Sequence, residues 1–399
     1  MPRQRALSIY ADCPKLGNAV SELPQCPPAI CTFFSVQKIR LNVTFCEFLD
    51  LNLSPLQILQ GEDVGMFSKH THSSPLRTVA IMALYAIVIT NLSTAVRAAT
   101  YSWTKLNTAQ SLPSRAGFAT AYDPISKKVV VFGGYNATNQ LNETWTFDGT
   151  TWTQVQTVTA PPPRSSAAMA YDSRIHRIVL CGGFFGVAFL NDTWVWDGAT
   201  STWTQAHPKT VPTGATNPML FTDPANGHVV MFGGYQGRFY SRSTYQWTGT
   251  DWKLLNPTNS PYPRSGAVTV ADPVRKNVVL FGGLSDNWVV QNTWTWDGSD
   301  WTQQTPATQP DPLYFTTGAF DPALQEVIVF GGGSGGVDQN STWAWDGTNW
   351  NQLSTVKTPA AREQLGTVWD PASHQLLIFD GHVFNSNQLF SDTWKLSSR

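Results

Sequence analysis

Residues 277–283 read Asn-Val-Val-Leu-Phe-Gly-Gly, and this wording returns along the whole second part of the chain. Val278, Val279, Leu280 and Phe281 leave no polar alternation, which is the pattern of a short strand buried on both faces. The glycine pair behind it recurs at Gly133-Gly134, Gly182-Gly183, Gly233-Gly234, Gly282-Gly283 and Gly331-Gly332, with a degenerate sixth copy at Asp380-Gly381. The steps between copies are 49, 51, 49, 49 and 49 residues. A fixed period near fifty means a repeat architecture, in which each unit is one supersecondary element.

Working outward from the glycines, every unit has the same parts. A small, apolar segment such as Arg115 to Tyr122 comes first and ends in a turn, Asp123-Pro124, matched by Asp223-Pro224, Asp272-Pro273, Asp321-Pro322 and Asp370-Pro371. Aspartate bonds the turn backbone and proline presets φ. The apolar run and glycines follow, then a variable loop, then an alternating strand such as Thr293-Trp294-Thr295-Trp296. Asp-Gly makes a tight hairpin at Asp148-Gly149, Asp197-Gly198, Asp297-Gly298 and Asp346-Gly347, and a last strand carries Trp152, Trp203, Trp252, Trp301 or Trp350. Each unit therefore has four antiparallel strands, A to D in chain order.

A four-stranded sheet that is apolar on both faces cannot stand alone, so the units must stack. Stacking around an axis gives an all-β propeller. The glycines suit a close approach of strand B to another backbone, and the tryptophans suit the spaces between blades. The last unit stops at Thr393-Trp394-Lys395-Leu396 without a strand D, whereas Tyr101-Ser102-Trp103-Thr104 has the strand D wording and Trp103 precedes Trp152 by 49 residues. The N-terminal strand is expected to close the last blade, giving six blades from about Thr100 to Leu396. Asp380 in copy six and Thr248-Gly249 in copy three depart from the pattern and are expected to loosen local geometry only.

The chain has 399 residues and a net charge of −1, with no basic run, so no nucleic-acid partner is expected. All 17 tryptophans lie after Ala98, while Cys13, Cys26, Cys31 and Cys46 lie before it. Residues 1–65 share nothing with the repeat and are expected to be disordered or absent from the mature protein; a small disulfide-bearing prosegment is the other reading. Residues 66–98 have the anatomy of a signal peptide: a basic start (Lys69, His70, His72, Arg77), an apolar run from Val79 to Ile89, and Val96 and Ala98 at the −3 and −1 positions of a cleavage site. The run is short for a membrane span, so no membrane insertion is expected after cleavage, although a signal anchor is the alternative. The expected domains are thus 1–65, 66–98 and a propeller at 99–399, in a secreted or periplasmic, monomeric protein. Cys181 stands where other copies have phenylalanine and is expected to be a core residue.

The apolar run, Gly-Gly, aromatic pair (Trp145 and Phe147) and late tryptophan (Trp152) resemble the kelch repeat, and Trp296-Asp297-Gly298 and its copies are similar to secreted bacterial kelch proteins. The resemblance implies a six-bladed kelch-type propeller. It implies little chemistry, since relatives include galactose-oxidase-like copper enzymes, sialic-acid mutarotases and protein-binding modules. It also implies that the loops before strand A and between strands B and C share one face around the central channel.

Two features fall on that face. Arg115, Arg164, Arg264 and Arg362 each stand 18 residues before the glycine mark, with Ala215 and Leu313 in the other two copies. Four guanidiniums at one mouth would attract a carboxylate, phosphate or polar sugar, whereas in a structural role they would bond loop carbonyls. The B–C loops carry Tyr135, Tyr235, Arg238, Trp288 and His382 among amide and hydroxyl residues, which suits a carbohydrate or a peptide. Phe189 and Phe384 are better read as core beneath their own loops. Glu363, beside Arg362, is either a general base or a salt-bridged loop residue. No metal-ligand or nucleophile motif is present, so no cofactor and no metal are expected. The expected function is an exported module that binds a carbohydrate or a protein partner through this face. The alternatives are a sugar-modifying enzyme using Arg164, Arg264, Arg362, Glu363 and His382, and a purely structural surface protein.

Overall fold

The computed structural model describes residues 101–286 and 288–398. The expected extension at 1–65 and signal peptide at 66–98 lie outside the described residues. Six antiparallel four-stranded units follow one another in the order the repeat predicts. Blade four is typical: Val268–Asp272, Asn277–Phe281, Thr293–Trp296 and Trp301–Gln304 pair in sequence. Blade two has longer inner strands, Ser165–Asp172 and Arg177–Phe185, and a short extra strand at Ala188–Phe189. Blade five adds a two-stranded hairpin of Gly333–Ser334 and Val337–Asp338.

The sixth blade joins both ends of the described chain. Tyr101–Lys105 pairs antiparallel with Thr393–Ser398, placing Trp103 opposite Leu396, so the N-terminal strand is its strand D. Thr355–Val356 adds a parallel pairing at the outer edge of that strand.

Three rings of hydrogen bonds run around the axis, one bond per blade. At the axis, a residue at the entry to strand A donates its amide to the same position of the preceding blade: Ser166 to Gly117, Asn217 to Ser166, Gly266 to Asn217, Phe315 to Gly266, Gln364 to Phe315, and Gly117 back to Gln364, at 2.6 to 3.1 Å. All six residues hold φ between 49° and 61°. Further out, the second glycine of each pair donates to the carbonyl before strand A of the next blade, as Gly134 does to Arg164 at 2.9 Å. The first glycine lies against that carbonyl: a Cβ at Gly133 would sit 2.6 Å from the Arg164 oxygen. This is the close approach that the glycine pair serves.

The third ring joins each strand D tryptophan to the threonine that opens strand C of the preceding blade. Trp152 donates to Thr393, Trp203 to Thr144, Trp252 to Thr193, Trp301 to Thr244, Trp350 to Thr293 and Trp103 to Thr342, at 2.8 to 3.4 Å. These tryptophans are almost wholly buried. Each removes roughly 150–250 Å² from water, so packing dominates and the single indole bond fixes orientation. Six apolar clusters result, each shared by two adjacent blades. Cys181 lies in the cluster between blades two and three, and burial pushes its thiol up to about 12, which suits a core residue and not a nucleophile.

The turn chemistry follows the sequence. The aspartate closing strand A accepts amide bonds two or three residues on, as Asp223 does from Ala225 at 2.8 Å and Asp272 from Arg275 at 2.9 Å. Asp380 keeps the left-handed backbone of the glycine it replaces, with φ of 54°, and is fully buried. Neither of its carboxyl oxygens has a hydrogen-bond partner.

Candidate ligand-binding face

Bridges between the segment before strand A and the B–C loop recur in five blades, at Ala116 with Tyr135, Thr216 with Tyr235, Ser265 with Leu284, Tyr314 with Gly333, and Glu363 with His382. In blade two the longer strands pair Ser165 with Phe184 at the same place. The two loop sets therefore do form one face. The candidate residues on it do not form one site.

The four arginines adopt the structural one of their two expected roles. Their exposures are 0 to 1 %, so none presents a guanidinium to the channel mouth. In blade two, Arg164 Nε donates to the Pro162 carbonyl at 3.1 Å and Nη1 to the Gly182 carbonyl at 3.1 Å. Nη1 and Nη2 then grip Asp192 Oδ1 and Oδ2, both at 2.7 Å. Asp192 Oδ2 also takes the Trp194 indole at 2.6 Å. Arg115 repeats the arrangement with Glu143 and Trp145, and Arg362 with Asp392 and Trp394. The arginine thus pins its own glycine turn, while its backbone carbonyl holds the preceding blade. Burial acts to raise the Asp192 carboxyl, but the bonds from Arg164 and Trp194 hold it below the usual range; Asp392 is held down in the same way.

Blade four departs from this scheme. Arg264 Nε bonds the Tyr262 carbonyl at 3.0 Å, and Nη1 bonds the Gly282 carbonyl at 3.0 Å and Asn292 Oδ1 at 2.8 Å. Asn292 occupies the position of Glu143, Asp192 and Asp392, and Arg264 Nη2 has no partner. Burial without a counter-charge lowers Arg264 to about 9.

A depression of about 350 Å³ lies at the outer part of blade four, with Asn292, the partner of Arg264, in its lining. Tyr262, Trp288, Asn292, Gln303, Gln304 and Gln309 are among its lining residues, none of which is charged. Tyr262 and Trp288 meet edge to face, with centroids 6.5 Å apart, and remain 61 % and 53 % exposed. Trp288 is therefore an available aromatic surface. Tyr262 escaped the sequence reading, although its setting between Pro261 and Pro263 was a visible signal of a stiff loop.

Blade six and blade one bring three more candidates together. His382 Nε2 lies 3.5 Å from Glu363 Oε1, and the His382 ring meets the Tyr135 ring edge to face at 6.0 Å. Tyr135 donates its hydroxyl to Gln364 Oε1 at 3.1 Å. Burial, with Asp338 adding its charge, pushes the Glu363 carboxyl up to about 8. Burial lowers His382, against the opposing pull of Asp338. Gly333 keeps this space open, since a Cβ there would fall 2.6 Å from Glu363 Oε2. Tyr235 is engaged within its own loop. It is packed between Phe189 and Tyr240 and its hydroxyl donates to the Gly237 carbonyl at 2.7 Å, so it supports its loop. Arg238 is exposed beside Phe239 on the blade-three loop.

The central depression, about 190 Å³, is lined by small or neutral residues such as Gly117, Ser166, Asn217 and Gln364, and by no titratable group. Among the described residues no group of three or more His, Cys, Asp or Glu side chains could hold a metal ion. A family model, the KLHDC2/KLHL20/DRC7 Kelch-repeats domain, matches residues 87–253. A search of the curated proteins finds no match.

Proposed function

This chain is a kelch-repeat β-propeller, and from that premise we propose that it is an exported binding module that takes a carbohydrate in the blade-four depression. One observation carries the reading: two exposed aromatic rings, Tyr262 and Trp288, stand over a floor of amide side chains. Aromatic faces cover the apolar face of a sugar ring, and glutamine and asparagine amides serve its hydroxyls as donors and acceptors. A protein partner would seek a larger apolar surface, and the exposed aromatics of this face are divided among separate loops. Calorimetric titration with neutral oligosaccharides tests the reading. Binding that is lost in Trp288→Ala at unchanged melting temperature supports it; binding that survives the substitution sinks it. Export has its own test, since cleavage of the signal at 66–98 gives a mature N-terminus at Ala99 or Thr100.

The Glu363–His382 pair supports a second reading, a proton-transferring activity on a sugar at the blade-six mouth. A carboxyl near 8 beside an imidazole held below its usual value can give and take a proton at neutral pH. Turnover of reducing sugars that vanishes in Glu363→Gln, with a pH profile governed by a group near 8, is the expected result. Equal turnover in that variant excludes it.

A further inference from the structure

The repeat supplies its own controls. Three blades have both arginine and carboxylate: Arg115 with Glu143, Arg164 with Asp192, Arg362 with Asp392. Two blades have neither, with Ala215 and Ser243 in one and Leu313 and Ser341 in the other. Blade four alone keeps the arginine and has lost the acid, with Asn292 in its place.

The loss leaves more than one donor without an acceptor. The carboxylate of the complete blades also receives an indole N–H, and Trp343 in blade five donates to Ser341 Oγ at 3.2 Å. Trp294, at the same position in blade four, has its Nε1 buried and unpartnered, as is Arg264 Nη2. Asn292 Oδ1 already accepts from Arg264 Nη1, so its other terminal atom is Nδ2, a donor where Asp192 presents an oxygen. Two buried N–H groups, one cationic, thus lack an acceptor at the Asn292 position, and Asn292 itself lines the depression. An unsatisfied buried donor costs about 1–3 kcal/mol, more when it is charged. Arg264 still pins the Gly282 turn, but unlike the arginines of the complete blades it does so with a buried guanidinium N–H left unpaired.

We propose that the blade-four depression binds a saccharide bearing a carboxylate, whose oxygen supplies the acceptor that Arg264 Nη2 and Trp294 Nε1 lack. Tyr262 and Trp288 hold the sugar ring, and the acid group enters past the Asn292 amide. The carboxylate is favoured over other anions because three blades of the same molecule place that group against the same donors. The inference rests on the carbohydrate reading above and adds the acid requirement.

The test uses the propeller-bearing chain with trigalacturonate and trigalactose, which differ in the oxidation state of C6, and with an acetylated glutamyl tripeptide as a third probe. Titration of the wild type is expected to show at least about tenfold tighter binding of the uronate, the size of one charge-assisted hydrogen bond. In Asn292→Asp the blade carries its own carboxylate, and the ratio of the two affinities is expected to fall to about one or below. Because this substitution restores the pairing of the other blades, a rise in its melting temperature verifies folding. Arg264→Met is expected to abolish the preference as well. Equal binding of both sugars by the wild type overturns the acid requirement and leaves the carbohydrate reading standing. Absence of binding to either sugar overturns both. Tighter binding of the glutamyl peptide than of the uronate overturns the saccharide assignment and places a peptide carboxylate there.

Discussion

Blade two and blade four share the four-stranded order, the glycine turn and the buried arginine, yet at the arginine they differ in one side-chain atom that matters. Asp192 gives Arg164 and Trp194 an oxygen; Asn292 gives Arg264 one oxygen and leaves a second guanidinium N–H and the Trp294 indole without an acceptor. The arginine site of blade two is complete, and that of blade four is not. The comparison teaches that a repeat can be read as a series of controls, where the unit that breaks a local rule without internal compensation is the first place to look for function.

The largest expected effect concerns what both blades depend on, the closed ring. Trp103 fills the seam between blades five and six and donates to Thr342. Trp103→Ala is expected to cost about 4 kcal/mol, the usual range for a buried tryptophan, read by equilibrium unfolding in urea. A cost near zero would mean that the N-terminal strand is not part of the cooperative unit.

Converting blade four into blade two sharpens the comparison. Asn292→Asp is expected to stabilise the fold by about 2 kcal/mol, because it creates charge-assisted bonds to two buried donors. A lower melting temperature in this variant would show that blade four satisfies its donors in another way. Asp380→Gly makes a related repair in blade six. It removes a carboxyl that is fully buried without hydrogen bonds and pushed far above its usual value by burial, and it restores glycine at φ of 54°. A gain of about 1–2 kcal/mol is expected, with calorimetry as the check.

The pH dependence separates blade six from blade two. Glu363 binds a proton more tightly folded, with a value near 8 against 4.5 in the unfolded chain, so its contribution is full below about 4.5 and is lost as pH rises through 8. His382 is lowered from 6.5 and works in the opposite direction, but only below 6.5. Between pH 6.5 and 8 the melting temperature is therefore expected to fall, and Glu363→Gln is expected to flatten that fall. The blade-two Asp192 is held below 3.8, so its contribution is present at neutral pH and is lost only in acid. The smallest effect is expected at Trp288. It is half exposed, and Trp288→Ala is expected to change stability by less than about 0.5 kcal/mol while removing sugar binding.

The fold was legible because its determinants are local and repeat. Gly-Gly, Asp-Pro, Asp-Gly and the strand D tryptophan each encode one backbone geometry, and the 49-residue offset of Trp103 from Trp152 encoded the closure. The site was less legible. The arginines stand out by spacing, but spacing cannot say whether a guanidinium faces solvent or its own glycine turn, and all four turned inward to Glu143, Asp192, Asn292 and Asp392. Aligning those four positions would have exposed Asn292 as the exception. The loop aromatics illustrate the same limit, since Tyr235 and Trp288 look alike in sequence and differ in whether a neighbouring loop covers them.

The most direct test of the account is a side-by-side measurement of unfolding free energy for Arg164→Met and Arg264→Met. Arg164→Met breaks a buried pair and leaves Asp192 without its cation, so a loss of about 3 kcal/mol is predicted. Arg264→Met removes a buried cation that has no counter-charge, and its cost is predicted to be smaller by at least about 2 kcal/mol. Equal losses in the two variants would contradict the claim that the arginine site of blade four is the incomplete one.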